Sequence, residues 1–387
     1  MTPVVTLHVS HSSRLDLGGQ VSLRTLVENL PASRFRPLVV VPGEGPLCNA
    51  LAERGIATRV LELPSLLAHP VRAVATATRL RRMISRTGAR VLHADRPAAA
   101  FLCGLAAMVT PAKVVWHVRV RTPDPWFDPL LPRVVHQIVG VSRAVLDRFP
   151  PRDRPKTRVV YNGVDVERFS PSPREANRAP VVATVCQLIP LKGVDTFVDA
   201  AALLAGRHPE ISFAAFGHGD EVYSGAIEER IQERGLADRF RLSPPRPDPE
   251  AIYHELSAFV LATRAPGEGF GRVAAEAMAC GVPVVGTRVG GLAEVVDDGV
   301  TGLLVPPDDP AALARALEML VTDPARAAAM GRAGRDRALR LFSLERHVDA
   351  MAELFERLAC EEPRPQGAQH SSPRNCGIGR RDVSMGA

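Results

Sequence analysis

The chain has 387 residues, which is too long for a single ordinary core and predicts two domains. Of these residues 46% are hydrophobic and 23% charged, values typical of a folded, water-soluble protein. Basic residues exceed acidic ones by 48 to 42, so the net charge of +6 favours anionic partners without naming one. Only 5% of the residues are aromatic and no basic run is interleaved with aromatics, so nucleic acid is not an expected partner.

The cysteines and the amino-terminal residues indicate where the protein works. The six cysteines are far apart and never form C-x-x-C, which predicts neither a zinc site nor a disulfide framework and favours a reducing cytoplasm. The opening stretch MTPVVTLHVSHSS lacks the basic start and long apolar middle of a signal peptide. The uncharged stretch 97–112 contains two prolines and is short for a membrane span, so it predicts a buried helix. We expect a cytoplasmic protein.

Short apolar runs rich in β-branched residues alternate with helical segments along the first half of the chain, a pattern typical of α/β domains with parallel sheets. Helices fit between most of these runs. Strands are predicted near 4–10, 37–42, 57–63, 89–95, 113–120, 137–142 and 157–162.

A polar, proline-containing break at 170–180 separates this half from a second strand series near 181–187, 211–217, 239–244, 258–263, 283–287 and 302–306. The chain is mostly helical from about Asp309, and 343–360 has apolar residues at helical spacing. The composition after 360 predicts disorder. We therefore expect two doubly wound, Rossmann-like domains over 1–170 and 178–342, a helix over 343–360 and a disordered tail over 361–387.

The stretch EGFGRVAAEAMACGVPVV, residues 268–285, carries the strongest chemical signal. Gly269 and Gly271 permit a tight loop, the alanine-rich segment favours a helix, and Gly281 with Pro283 ends it. The amides at Gly271, Arg272 and Val273 would then form a helix start suited to phosphate. Glu268 lies beside that start and Glu276 about one and a half turns into the helix, where carboxylates can accept hydrogen bonds from sugar hydroxyls. Two solvated surface glutamates are the alternative.

The whole chain resembles the retaining glycosyltransferases of the GT-B fold, the family of glycogen synthases, sucrose synthases and bacterial mannosyl- and glucosyltransferases. Besides the stretch above, similar segments occur in the family's order and cover about residues 4–360. They are LGGQVSLRTLVENL (17–30), NGVDVERF (162–169), QLIPLKGVDTFVDA (187–200), GHGD (217–220) and RVGGLAEVVDDGVTGLLVPPDD (288–309).

The resemblance implies a role for each matching residue. Glu276 would accept hydrogen bonds from ribose hydroxyls, Glu268 would lie by the transferred sugar, and Phe270 and Gly271 would contact sugar hydroxyls through their backbone. Lys192 would pair with the diphosphate and stabilise its charge as the nucleotide leaves. An exposed lysine ahead of a helix is the alternative for Lys192.

The first domain and one departure from the family add further candidates. Gly18 and Gly19 open a helix whose amides could meet the diphosphate from the opposite side of a cleft, although a Gly-Gly pair can also be a simple turn. His117 matches the family histidine that lines the sugar pocket; a satisfied histidine in a strand is the alternative. Many relatives have Gly-Arg where this chain has Cys186-Gln187, so a second fixed cation is missing there. Gln187 can donate hydrogen bonds but cannot neutralise a phosphate, and Arg272 either supplies the missing charge or only covers the helix surface.

The resemblance implies a retaining transfer from a nucleoside-diphosphate sugar to an acceptor hydroxyl, in cell-envelope polysaccharide, glycolipid or natural-product synthesis. The acceptor would be a sugar, a lipid-linked sugar or a small molecule, and no metal or other cofactor is expected because the chain has no Asp-x-Asp. Arginines between 79 and 90 indicate either contact with the inner face of a membrane or a solvated helix.

Three other functions compete with this reading. A dehydrogenase is disfavoured because Val222 replaces the third glycine of G-x-G-x-x-G in GHGDEV. A hydrolysing sugar-nucleotide epimerase would share the architecture but lacks motif support. A non-catalytic sugar-nucleotide binder or assembly protein of the same fold is favoured by the missing cation, and turnover of a nucleotide sugar would distinguish it from the enzyme.

Overall fold

A computed structural model describes residues 2–15, 18–66, 68–173 and 179–361. Most of the predicted linker at 170–180 is described, but its residues 174–178, and the predicted tail from 362 onward, lie outside the described residues. All the predicted strands are confirmed, within a few residues at each end. The strands are β1 (Val4–Val9), β2 (Phe35–Val41), β3 (Ala57–Val60), β4 (Val91–Ala94), β5 (Lys113–Val118), β6 (Gln137–Gly140), β7 (Thr157–Val159), β8 (Val181–Val185), β9 (Ser212–Phe216), β10 (Phe240–Ser243), β11 (Ala258–Leu261), β12 (Val284–Thr287) and β13 (Gly302–Val305).

Fourteen α-helices in the described part of the chain cover the sheets. They are α1 (Gly18–Asn29), α2 (Pro46–Glu53), α3 (Pro70–Thr87), α4 (Pro97–Ala107), α5 (Leu131–Val134), α6 (Arg143–Leu146), α7 (Val194–Ala205), α8 (Glu221–Glu233), α9 (Pro249–Glu255), α10 (Arg272–Ala279), α11 (Leu292–Val295), α12 (Pro310–Val321), α13 (Pro324–Phe342) and α14 (Leu344–Cys360). None of these helices combines the length and the apolar composition that a membrane crossing requires. The stretch predicted as a buried helix at 97–112 contains α4, which packs against α3 and β5.

Each half of the chain folds into one fully parallel sheet. The first has the strand order β3-β2-β1-β4-β5-β6-β7 and the second β10-β9-β8-β11-β12-β13. The order reverses between β1 and β4 in the first sheet and between β8 and β11 in the second, and ligands of such sheets bind at the carboxyl ends of the strands beside this reversal. The structure thus confirms two doubly wound, Rossmann-like domains.

Helix α14 confirms the prediction for 343–360 and shows where that helix packs. Ser343 caps its start by accepting a hydrogen bond from the Arg346 amide at 3.4 Å. Its apolar face, which includes Met351 and Phe355, packs on the first sheet against valines of β4, β5 and β6. The last helix therefore completes the core of the first domain, although it follows the second domain in sequence.

The chain passes between the domains twice, and the two passages are hydrogen-bonded to each other. The Val164 amide donates to the Phe342 carbonyl, and the Leu344 amide donates to the Val164 carbonyl, both at 2.8 Å. Val164 and Ser343 form an isolated parallel bridge as a result.

Candidate functional site

A cleft of about 460 Å³ lies between the two domains at the carboxyl ends of their strands. The second domain contributes the loop 268–271 and Arg272 to its wall. Residues of the first domain form the opposite wall, and they include His11, Gly18, Gly19, Gln20, Asp95, Arg96, Arg119, Asp124, Arg148 and Asn162. The cleft therefore brings together two of the segments that the sequence predicted, 17–30 and 268–285.

Loop 268–271 leads into α10 and touches the first domain. Gly271 is the N-cap residue of α10 with a φ of 91°, a left-handed conformation that favours glycine. A Cβ at Gly269 would lie 2.0 Å from the Arg119 carbonyl oxygen, so only glycine allows this approach of the two domains. The Ser142 hydroxyl of the first domain also donates to the Gly269 carbonyl at 2.6 Å. The first domain thus contacts the loop at two points, with the free amides of the α10 start beside it.

Lys192 and Glu268 form an ion pair, and the Thr263 hydroxyl donates to the same Glu268 oxygen at 3.0 Å. Both charged side chains are less than one-fifth exposed. Lys192 is the last residue of a short 3₁₀ turn. The next residue, Gly193, has a φ of 63°, and a Cβ at this position would lie only 2.1 Å from the Ala262 carbonyl oxygen. The backbone therefore directs Lys192 toward the loop that carries Glu268.

Glu276 is buried and does not line the cleft. Its carboxylate accepts a hydrogen bond from the Tyr253 hydroxyl at 3.0 Å and pairs with the Arg272 Nε at 2.9 Å. An ionised carboxylate has about four acceptor positions, so these two partners leave capacity for further donors. The burial of Tyr253, together with the charge of Glu276, raises the pKa of the tyrosine well above its usual range, so this hydroxyl stays protonated and donates.

The first-domain wall contains a carboxylate–histidine pair that sequence reasoning missed. His11 Nδ1 lies 3.2 Å from Asp95 Oδ1, and the Gln20 amide nitrogen lies 3.2 Å from the same ring nitrogen. The carboxylate favours the tautomer with the proton on Nδ1, which leaves a lone pair on Nε2. That Nε2 is buried and has no hydrogen-bond partner among the described residues. His11 and Asp95 are separated by 84 residues, and only their shared position at strand ends could have linked them.

His117 does not line the cleft, so the expectation that it lies in a sugar pocket is wrong for this structure. It is fully buried on the face of β5 that α14 covers, with its ring 6.4 Å from the His347 ring. Burial, followed by the charge of Arg119, lowers its pKa well below the usual range. The alternative, a satisfied histidine in a strand, holds only in part: Nδ1 contacts His93 and Arg119, but the buried Nε2 has no hydrogen-bond partner among the described residues. Because both faces of this parallel sheet are buried, the apolar pattern of β5 does not reveal which face a residue occupies.

The remaining predicted donor residues lie in different surroundings. Gly18 and Gly19 line the cleft at the start of α1, as expected. Phe270 is buried and packs its ring against Phe342, which leaves its backbone at the cleft. Val273 is half-buried in the first turn of α10, and Gln187 is exposed and outside the cleft wall. Arg272 lines the cleft but is already paired with Glu276.

A second contact between the domains lies next to the cleft. The Glu294 carboxylate of α11 accepts hydrogen bonds from the Arg143 and Ala144 amides at 2.9 and 2.8 Å, which places it at the start of α6 in the other domain. The Tyr161 hydroxyl donates to the same carboxylate at 3.2 Å. Burial, together with this carboxylate, raises the pKa of Tyr161. The two domains are therefore joined by specific polar bonds as well as by apolar packing.

The charges of the cleft suit an anionic ligand with hydroxyl groups. The starts of α1 and α10 present backbone amides from opposite walls, and Lys192, Arg119 and Arg272 add positive charge on or beside those walls. Glu268 and Asp95 supply acceptors for hydroxyl donors. Phosphate and sugar can therefore be bound within one site.

Two family models match the chain and divide it at the boundary between its domains. Residues 165–337 match the model described as glycosyl transferases group 1, and residues 18–168 match glycosyltransferase family 4. Together they include Gly18 and Gly19 on one wall of the cleft and Glu268 to Arg272 on the other.

Curated relatives match part of the chain. It is 38% identical over 217 residues to a D-inositol 3-phosphate glycosyltransferase of Corynebacterium jeikeium, an alignment that covers 52% of each protein. It is 36% identical over 236 residues to a GDP-mannose-dependent alpha-(1-6)-phosphatidylinositol monomannoside mannosyltransferase of Mycolicibacterium smegmatis, with 56% of this chain and 61% of that protein covered. The chain thus spans about half to three-fifths of the length of these relatives.

Solved structures match nearly the whole chain. A glycosyltransferase of Rickettsia africae superposes with a TM-score of 0.84 at 20% identity, covering 94% of this chain and all of that one. The Anabaena HepE protein in complex with UDP superposes with a TM-score of 0.80 at 21% identity, covering 92% of this chain and all of that one. These likenesses show the GT-B fold. With both halves of the chain matched by glycosyltransferase models on this fold, the protein belongs to the group 1 glycosyltransferases.

Proposed function

We propose that the protein is a retaining glycosyltransferase, which moves a sugar from a nucleoside-diphosphate sugar to an acceptor hydroxyl. The observation that carries the proposal is the Lys192–Glu268 pair beside the start of α10, facing the start of α1 across the cleft. This arrangement offers a cation and two sets of amides to a diphosphate, and a carboxylate to the sugar next to it.

The residues act in distinct ways in this proposal. Lys192 and the helix starts stabilise the negative charge that develops on the departing diphosphate. Glu268 orients the sugar and stabilises positive charge near the anomeric carbon. The departing phosphate oxygen takes the proton of the acceptor hydroxyl on the same face of the sugar, so the bond to the acceptor forms with retention. In this proposal Glu276, which is about one and a half turns into α10 and outside the cleft wall, accepts hydrogen bonds from the ribose hydroxyls. No metal is required because fixed cations and amides neutralise the diphosphate.

The acceptor belongs to glycolipid or cell-envelope synthesis in this proposal. The names of the relatives support this class, since one acts on D-inositol 3-phosphate and another on a phosphatidylinositol monomannoside. A sugar, a lipid-linked sugar or a small polyol would each offer a hydroxyl. The solvent-facing side of α3 carries Arg81, Arg82 and the largely exposed Val71 and Val74, a combination suited to the inner face of an anionic membrane.

The experiment is a donor screen followed by analysis of the product. Purified protein is incubated with UDP-, GDP- and ADP-sugars, with and without EDTA, and release of the nucleoside diphosphate is measured. We expect slow hydrolysis of one donor without acceptor, unaffected by EDTA, and faster release with inositol phosphate or a lipid-linked sugar. Proton NMR of the fresh product should show the anomeric configuration of the donor.

Two results would contradict the proposal. Activity that EDTA abolishes and manganese restores would contradict binding of the diphosphate by amides and cations alone. An α-linked donor that gives a β-linked product would contradict retention. Tight binding of one donor without any turnover would instead support a non-catalytic sugar-nucleotide binder, the second candidate, which the exposed Gln187 favours because it brings no cation to the cleft.

A further inference from the structure

Arg119 is a cation in the cleft wall that neither the motifs nor the family comparison assigns to a role. It directly follows β5, and its guanidinium donates to Asn162 Oδ1 at 2.9 Å and lies 3.4 Å from His117 Nδ1. Its Nε is buried and has no hydrogen-bond partner in the described part of the chain. Asp95, the carboxylate whose charge acts on it, pairs with His11 instead.

Among the described residues no carboxylate forms an ion pair with the Arg119 guanidinium, and the nearby charge of Asp95 compensates it only in part. The hydrogen-bond partners of Arg119 among the described residues are an amide and a neutral imidazole, and burial lowers its pKa to about 10, so it is still charged at neutral pH. A desolvated cation without an ion pair is costly, and this cost is offset when an anion binds beside it. The free Nε and the position in the cleft wall indicate that the missing anion is a ligand.

The position of Arg119 specifies which anion this is. A Cβ at Gly19 would lie 3.7 Å from Arg119 Cδ, so the side chain runs along the start of α1. The Arg119 carbonyl oxygen meets Gly269 of the second domain, one residue from Glu268 and two from the N-cap of α10. Arg119 therefore lies between the two helix starts, where the proposed function places the diphosphate.

We propose that Arg119 supplies the second fixed cation for the donor diphosphate, from the first domain rather than from position 187 of the second. This inference rests on the proposed function and extends it. It accounts for Gln187, because a chain that receives this charge from the opposite wall needs no arginine there. It also makes tight binding of the diphosphate depend on the approach of the two domains, since Lys192 and Arg119 belong to different domains.

The test measures affinity for the diphosphate separately from affinity for the base. Kd values of UDP, GDP and ADP, and of uridine, guanosine and adenosine, are determined by calorimetry for the wild type, Arg119→Gln, Arg119→Met and Arg119→Lys. For the diphosphate that the wild type binds best, we expect the two neutral variants to bind about tenfold or more weakly and Lys to be intermediate, with unchanged affinity for the nucleoside. Either neutral variant suffices, provided that its thermal unfolding shows a folded protein.

Arg332→Gln is the matched control, because it removes the same charge from an exposed position of α13, outside the cleft wall. It should bind like the wild type. Folded neutral variants that bind the diphosphate as tightly as the wild type would overturn the inference and leave the proposed function intact. Variants that keep their affinity for the diphosphate but no longer bind inorganic phosphate added to the diphosphate complex would also overturn the inference. That result would assign the anion beside Arg119 to the acceptor and not to the donor. A wild type that binds none of the three diphosphates would overturn the proposed function itself.

Discussion

Glu276 illustrates how a single carboxylate serves both the fold and the proposed donor site. Its oxygens hold the Tyr253 hydroxyl and Arg272, and its free acceptor positions are assigned to the ribose. We expect Glu276→Ala to weaken donor binding by about 1 to 3 kcal/mol, because ribose hydroxyls lose a charged acceptor. Calorimetry with the preferred nucleoside diphosphate measures this. Tyr253→Phe is the control, since it removes the structural bond alone, and equal losses in both variants would contradict a direct role in ribose binding.

Lys192 should matter more for the reaction than for binding. Its ion pair with Glu268 is present without ligand, so part of its charge is already compensated in the ground state. As the diphosphate departs, its growing negative charge strengthens the interaction with Lys192. We expect Lys192→Ala to lower kcat more than it raises the Kd of the donor, with partial rescue in Lys192→Arg. A variant with the kcat of the wild type would remove Lys192 from the mechanism.

At the scale of single residues, the site could be predicted only where its residues are neighbours in the sequence. Glu268 to Glu276 follow one another along a loop and a helix, so their spacing implied their geometry. Arg119, Asp95 and His11 converge only because three parallel strands end at the same edge. His117 precedes Arg119 by two residues, and its assignment failed because a strand buried on both faces leaves no alternation to indicate orientation.

Strands β1, β4 and β5 carry a row of buried histidines beneath α14. His8 Nδ1 lies 3.1 Å from His93 Nδ1, and His93 Nε2 lies 3.0 Å from His117 Nδ1. His117 in turn stacks near His347 of α14. Burial lowers all four pKa values, that of His8 to about 3 and that of His347 to about 4, so the whole row is neutral at pH 7.

This row predicts how stability depends on pH. The unfolded chain protonates these histidines near their ordinary pKa of 6.5, whereas the folded protein does so only at much lower pH. Above pH 6.5 these histidines do not change the free energy of unfolding. Below pH 6.5 the free energy of unfolding should fall progressively toward pH 4. Urea unfolding at pH 7.5, 6 and 5 measures the effect. The slope should be smaller in His347→Phe, and identical urea midpoints at pH 7.5 and 5 would contradict the prediction.

Loop 268–271 joins the domains through a contact that tolerates no side chain at Gly269. We expect Gly269→Ala to disfavour the closed cleft by about 1 to 3 kcal/mol, because its Cβ would overlap the Arg119 carbonyl oxygen. The reaction rate with saturating donor should fall while each domain remains folded by circular dichroism. Gly225→Ala is the control, since a Cβ there meets nothing within 4 Å. Equal activity of both variants would show that the contact is dispensable.

Across the whole molecule, helix α14 connects the segment that follows the second domain back to the first domain. Phe355 is fully buried against the first sheet, and we expect Phe355→Ala to destabilise the first domain by about 3 to 5 kcal/mol. Chemical unfolding measures this loss. Deletion of residues 362–387 is the control, because their composition cannot build a core, and it should leave stability and activity unchanged. Loss of stability from the deletion alone would contradict this assignment of the core.

The fold was more predictable than the site because it depends on repeated, local signals. Most strands are short apolar runs rich in β-branched residues, and an error in the prediction of one strand would not change the fold class. The packing of α14 on the first sheet could not be predicted, since its apolar stripe identifies a buried face but no partner. Glu294 likewise caps α6, which lies about 150 residues earlier in sequence.

The backbone pairing of Val164 with Phe342 and Leu344 limits the ways in which the cleft can open. Two tethers at separate places would leave the domains nearly immobile, and one tether would let them swivel in any direction. Here the two tethers run side by side as a short ribbon, so the motion that strains them least is a swing about one axis through that ribbon. Such a swing would return Gly269 to the same point on the opposite wall each time. Opening about one axis would therefore let the cleft exchange its ligands and reassemble the same site.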